Sequence, residues 1–182
     1  MGCCCSSYAQ QDDQEQFEAP PLIELSEKQK GTNVKLLAPS TVAGFGSIFA
    51  DSPVLQDKGY FEATLKTNGT FAMGVAIADA PLEEILDEKV NGVWTVTNNR
   101  PGLPPVAAGD VLGCAIDQAD YPVQVYFYKG TQLIHQMSGV RGEVSPAFSV
   151  GDGASIEVNF GARPYVHIPP GFQGIIKSKS LL

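Results

Sequence analysis

The sequence predicts an all-β protein: an antiparallel β-sandwich with a flexible N-terminal extension and at most one short helix. Three observations predict it. From Gly31 onward, short runs rich in β-branched and aromatic residues alternate apolar and polar positions at a period of two. Gly, Pro, Asn and Asp cut these runs at short intervals, as the turns of an antiparallel sandwich require. Only one stretch of the chain carries helical signals.

In chain order, residues 1–30 are assigned to the extension. Residues 6–19 (SSYAQQDDQEQFEA) are polar and acidic and read as a solvated linker, stiffened at its end by Pro20 and Pro21. Leu22-Ile23-Glu24-Leu25 is the first apolar group and is placed to dock onto the domain. The domain itself is assigned to residues 31–176, with 177–182 as a C-terminal tail. Within it, Tyr60 to Lys66 sets Phe61, Ala63 and Leu65 on one face of a strand and Glu62, Thr64 and Lys66 on the other. Asn68-Gly69 follows, a strong hairpin signal, and Phe71 to Ala78 reads as the returning strand. Pro81 to Lys89 (PLEEILDEK) is the helical stretch, with proline at the first position and acidic residues in the first turn. Val123 to Tyr128, Lys129-Gly130 and Thr131 to Met137 form a second hairpin. Ala154 to Phe160 alternates Ile156, Val158 and Phe160 inward.

Composition removes several classes of function. The 182 residues are 43% hydrophobic, enough for one core, and the formal net charge is −8. A sequence pI near 4.6 excludes non-specific nucleic-acid binding, which needs a basic surface. No apolar run is long enough to cross a bilayer, and positions 1–10 lack the charged and apolar regions of a secretory signal. The four cysteines do not form a disulfide framework, which fits a reduced, cytoplasmic chain. Cys114 lies in an apolar strand-like run and reads as core.

The hexapeptide Met1-Gly2-Cys3-Cys4-Cys5-Ser6 carries the strongest localisation signal. Loss of Met1 exposes Gly2 for myristoylation, and Ser6 completes the pattern. One myristoyl chain binds a bilayer only marginally, so a second attachment is expected, and Cys3, Cys4 and Cys5 offer palmitoylation sites. A basic cluster cannot serve instead: Asp12, Asp13, Glu15, Glu18, Glu24 and Glu27 all precede Lys28, the first basic residue. Three adjacent cysteines do not suit a tetrahedral metal site, and no spaced Cys or His pair completes one.

A set of short motifs carries a more specific signal. These are Gly59-Tyr60-Phe61-Glu62, Phe71-Ala72-Met73-Gly74-Val75, Gly109-Asp110-Val111-Leu112-Gly113 and Val125-Tyr126-Phe127-Tyr128-Lys129-Gly130. Ser138-Gly139-Val140-Arg141-Gly142 with Pro146, then Asn159-Phe160-Gly161, then Pro169-Pro170-Gly171-Phe172 complete it. In this order, over about residues 31–176, they resemble a SPRY domain. The resemblance implies a concanavalin-like jelly roll that binds proteins through loops at one end of the sandwich. The chain departs from the family in having Phe71 where a tryptophan is often found. It also lacks room for the additional N-terminal PRY strands of larger relatives.

The sequence offers no convincing catalytic set. Gly44-Phe45-Gly46 and Gly151-Asp152-Gly153 complete neither a nucleophile elbow nor a dinucleotide motif, and a bent strand is the simpler reading. His135 and His167 have no neighbouring nucleophile or acid. Glu62 and Glu157 are the one carboxylate pair a carbohydrate-active jelly roll could use, but solvated strand-face positions suit them better, and Trp94 is the only tryptophan. The expectation is therefore a non-enzymatic module without cofactor or metal. It recognises another protein or a short peptide segment and is held by acyl chains on the cytoplasmic face of a membrane. Candidate loops are 79–92, 98–105, 118–122 and 139–141, with Trp94 and Tyr121 as aromatic anchors and Arg100 and Arg141 as carboxylate partners. The alternative is a structural subunit of a larger intracellular assembly, cytoskeletal or ciliary, that docks through its N-terminal segment.

Overall fold

The strands form because alternate side chains on them face a common core. In the computed structural model, which describes residues 21–177, thirteen strands and no helix are found among the described residues. Five strands form one sheet in the order β1 (Leu25–Lys30), β4 (Gly46–Ala50), β11 (Ser145–Gly151), β6 (Thr70–Ala76) and β7 (Val93–Thr97). The second sheet runs β10 (Gln132–Ser138), β9 (Gln124–Lys129), β8 (Val111–Asp117), β5 (Lys58–Thr67), β12 (Ser155–Asn159), β3 (Thr41–Gly44) and β2 (Val34–Ala38). A two-residue β13 (Gln173–Gly174) adds to β5 in parallel, while every other pairing is antiparallel.

The inner faces meet in one core. Phe61, Ala63 and Leu65 of β5, and Ile156 and Val158 of β12, face Phe71, Met73 and Val75 of β6 and Phe148 and Val150 of β11. Phe61 meets Phe148 edge-on at 5.5 Å between centroids, and Phe160 closes on both at 6.0 Å. Cys114 is fully buried in this core, and burial pushes its thiol pKa up. The hairpin expected around Lys129-Gly130 is present as β9–β10.

Three expectations are corrected. The boundary at residue 31 falls inside the sandwich: β1 pairs β4, Ile23 and Leu25 are buried, and Leu22 bridges Ile176. Burying these apolar side chains is what recruits the segment. Second, Asn68-Gly69 reverses the chain between sheets, not within a hairpin. β5 pairs β8 and β12, while β6 pairs β11 and β7. Gly69 (φ +155°) is needed because a Cβ there would lie 2.3 Å from the Ala154 nitrogen.

Third, Pro81 to Lys89 is not helical. Its backbone is captured by the outer face of the five-stranded sheet, where Ala76, Ala147, Ser47 and Ser149 leave room for a second layer. The Leu82 carbonyl accepts from the Ser47 N–H at 2.8 Å, and the Leu86 N–H donates to Ser149 Oγ at 3.0 Å. Those two groups would bond each other in an α-helix. Ser47 Oγ donates to the Glu84 carbonyl at 2.6 Å, so the 2.7 Å contact between the two serines must have Ser149 as donor. Thr95 Oγ1 donates to the Leu86 carbonyl at 2.9 Å, while Leu86 and Ala80 fill a small outer cluster with Phe49 and Val93.

Candidate functional site

Strand direction decides which loops share an end. β8 runs into residues 118–123 and returns as β9, and β10 returns to the same end, since Ser138 lies opposite Gln124. The connections 51–57, 118–123 and 139–144 therefore gather at one end of the sandwich. Among the four residues expected to contact a partner, this brings Tyr121 and Arg141 together. The other two are not on these loops. Trp94 lies in β7 opposite Val75, half-buried with its side chain packed against the core. Arg100 follows β7 at the opposite end and is ion-paired with Glu88. The candidate loop 79–92 is the segment lying across the outer face, and 98–105 belongs to Arg100's end.

The gathered loops form a hydrogen-bonded platform. Gln118 Nε2 donates to the Val54 and Gln56 carbonyls at 2.9 and 3.0 Å, and the Val54 N–H donates to the Val144 carbonyl at 2.9 Å. Gln56 Nε2 donates to the carbonyls of Lys58 and Gly174, each at 3.0 Å, and its Oε1 accepts from the Ile176 N–H at 2.9 Å. The side chains of two glutamines thus tie the loop backbone at Val54 and Gln56 to the ends of β5 and β13. From this base project Tyr121, 76% exposed, and Leu55, 59% exposed, with Arg141 also exposed. Between Leu55, Lys58, Ala119 and Gly171 lies an open depression of about 540 Å³. Lys58 stands 3.0 Å from Asp117 and 5.5 Å from the centre of the Phe172 ring; its hydrogen bond with Asp117 raises its pKa.

A strap, residues 161–172, leads into the platform across the outer face of the larger sheet. It is held by Glu62, which is only 3% exposed and not the solvated strand-face residue expected. Glu62 Oε1 accepts from Tyr60 Oη at 2.9 Å and the His167 N–H at 3.0 Å, and Oε2 accepts from the Val166 N–H at 3.0 Å. Tyr165 packs edge-on to Tyr60 at 5.1 Å, His167 tilts against Tyr128 at 5.5 Å, and Phe172 meets Tyr126 at 6.4 Å. Burial, then the Glu62 charge, pushes the Tyr60 and Tyr165 hydroxyls upward in pKa.

Both members of the carboxylate pair are already occupied by neighbours. Both Glu62 oxygens are engaged, and Glu157 is ion-paired with Lys66 at 3.2 Å and with Arg163. The Arg163 hydrogen bond holds the Glu157 carboxyl below the usual range, the opposite of what a general acid needs. His135 stacks on Phe127 at 6.0 Å, and burial lowers its pKa. No cluster of three His, Cys, Asp or Glu that could hold a metal occurs among the described residues. Gly2, Cys3, Cys4 and Cys5 lie outside the described residues.

Sequence reasoning missed Leu55 and Gln56, and it read Glu62 as solvated. A lone leucine in the turn-rich stretch Asp51-Ser52-Pro53-Val54-Leu55-Gln56-Asp57 was the available signal for the first. For Glu62 it was the aromatic set Tyr60, Tyr126 and Tyr128 on the strands' supposedly wet face, which calls for a covering layer.

Comparison with known proteins gives one family. The SPRY domain model matches residues 58–163. SPRY domain-containing protein 7 of Gallus gallus is 28% identical over 169 residues, 86% of this chain and 84% of that protein. The E3 ubiquitin-protein ligase RKP of Arabidopsis thaliana is 30% identical over 176 residues, which is 85% of this chain but 13% of the ligase. The crystal structure of the SPRY domain of human HERC1 superposes with a TM-score of 0.60 at 13% identity, covering 76% of this chain and 99% of that one. That likeness is one of fold.

Proposed function

The chain belongs to the SPRY domain family, and from that premise we propose that it is a non-catalytic interaction module whose platform end recognises another protein or a short peptide segment. The observation that carries this reading is the exposure of Tyr121, Leu55 and Arg141 on loops tied down by Gln118, Gln56 and the backbone bonds of Val54 with Val144 and Gly139 with Val123. Large exposed side chains on a rigid base bind with little ordering cost. Tyrosine and arginine are also the residue types that dominate binding energy at protein interfaces. Tyr121→Ala and Arg141→Ala should each reduce partner recovery in affinity capture without moving the melting transition. Unchanged recovery in both variants sinks the assignment.

The module works, in this proposal, on the cytoplasmic face of a membrane, held by myristate on Gly2 and palmitate on Cys3, Cys4 or Cys5. The sequence pattern supports it, as does the acidity of the following segment, which leaves acyl chains as the means of attachment. No helix among the described residues is long and apolar enough to cross a membrane. Intact mass measurement and membrane fractionation of protein from a eukaryotic host test the anchor. Gly2→Ala should remove the myristate mass and release the protein, whereas an unmodified N-terminus or fractionation indifferent to the substitution contradicts it.

A further inference from the structure

Near the point where the described chain begins, Leu22 and Ile23 border an apolar cleft of about 170 Å³, shared with Pro39, Val158, Phe160 and Ala162. Its polar lining comes from Glu24 and Ser40. Ile23, Val158 and Phe160 are buried core side chains, so the cleft opens straight onto the sandwich interior. An apolar cavity of about 150 Å³ is large enough to take one benzene ring. A fourteen-carbon acyl chain, with more than twice the carbons of that ring, does not fit the same space.

The chain itself supplies one such ring within reach. Phe17 is the only large apolar side chain between Tyr8 and Leu22. It precedes Leu22 by five residues, a span of at most about 17 Å. The near end of the intervening chain is held: the Pro21 carbonyl accepts from the Lys177 N–H at 3.2 Å, and the Pro21 ring sets its own φ. We propose that Phe17 docks in this cleft and latches residues 17–21 to the sandwich beside the β2–β3 turn. The latch does not depend on acylation. Where the N-terminus is acylated, it leaves residues 2–16 as the free tether, at most about 50 Å long.

Glu15 and Glu18 flank Phe17 and make the latch measurable. With the full chain, cleavage after these residues by a glutamyl endopeptidase is compared in wild type, Phe17→Ser and Tyr8→Ser. Methyl spectra of Ile23 and Val158 are recorded in parallel. Because a short tether gives an effective concentration of order mM, Phe17→Ser should speed cleavage roughly three- to tenfold and shift both methyls. Tyr8→Ser should do neither. Identical cleavage and spectra for Phe17→Ser overturn the proposal. So do methyl shifts that follow Tyr8→Ser, or that follow acylation of Gly2 and ignore Phe17.

Discussion

Glu62 is where a single atom change should tell most. Its two oxygens hold three donors: Tyr60 Oη and the backbone N–H groups of Val166 and His167. In Glu62→Gln the amide oxygen can still accept from Tyr60 and His167, but the NH₂ group then faces the Val166 N–H, donor against donor. Loss of one charge-assisted bond and its replacement by a mismatch costs about 1.5–3 kcal/mol. Glu62→Ala loses all three acceptor contacts and opens space under the strap, for about 3–5 kcal/mol. At roughly 2–4 °C per kcal/mol for a domain this size, Gln should lower Tm by about 3–12 °C and Ala by more. Calorimetry gives the order. Hydrogen exchange gives the place: residues 165–173 should exchange faster in both variants, while β6 and β11 stay protected. A glutamine variant within about 1 °C of wild type, or an alanine variant milder than glutamine, refutes the clasp.

Three further outcomes follow from the same contacts. Ser149→Ala removes the acceptor for the buried Leu86 N–H and the donor to Ser47, so thermal unfolding should show a loss of about 1–3 kcal/mol, with new exchange confined to residues 82–88. The depressed Glu157 carboxyl stabilises the fold above its ordinary value of 4.5, and that contribution disappears as pH falls through its lower folded value. The stability gap between wild type and Glu157→Gln should therefore be constant near neutrality and close below about pH 4, and it should be under about 1 kcal/mol because the partners are exposed. The Cys114 thiol, fully buried and pushed up in pKa, should resist alkylation in native protein and label in denaturant, as peptide mapping would show.

What the sequence made legible was local. Phe61, Ala63 and Leu65, or Ile156, Val158 and Phe160, alternate because a strand half-buried in a sandwich leaves them no other pattern, and both sets lie in the core. What stayed hidden depended on partners far along the chain. Asn68-Gly69 encodes a reversal but not which sheet receives the next strand. PLEEILDEK has the composition of a helix, and the Ser47 N–H, the hydroxyls of Ser47, Ser149 and Thr95 and the outer apolar cluster override it. Glu62 sits on the polar face by alternation, and a strap a hundred residues later buries it. Of the candidate site, Tyr121 and Arg141 share an end as soon as the β9–β10 hairpin is accepted. Arg100 was carried to the other end by the sheet exchange that local patterns do not reveal, and Trp94 was withdrawn into β7 with its side chain against the core.

The central claim is that recognition resides at the platform end and not at the end marked by Arg100. The most direct measurement is quantitative affinity capture comparing Arg141→Ala with Arg100→Ala, the same substitution at opposite ends of one sandwich. Recovery of the captured partner should fall with Arg141→Ala and stay at the wild-type level with Arg100→Ala. Loss confined to Arg100→Ala, or equal recovery from both, contradicts the account.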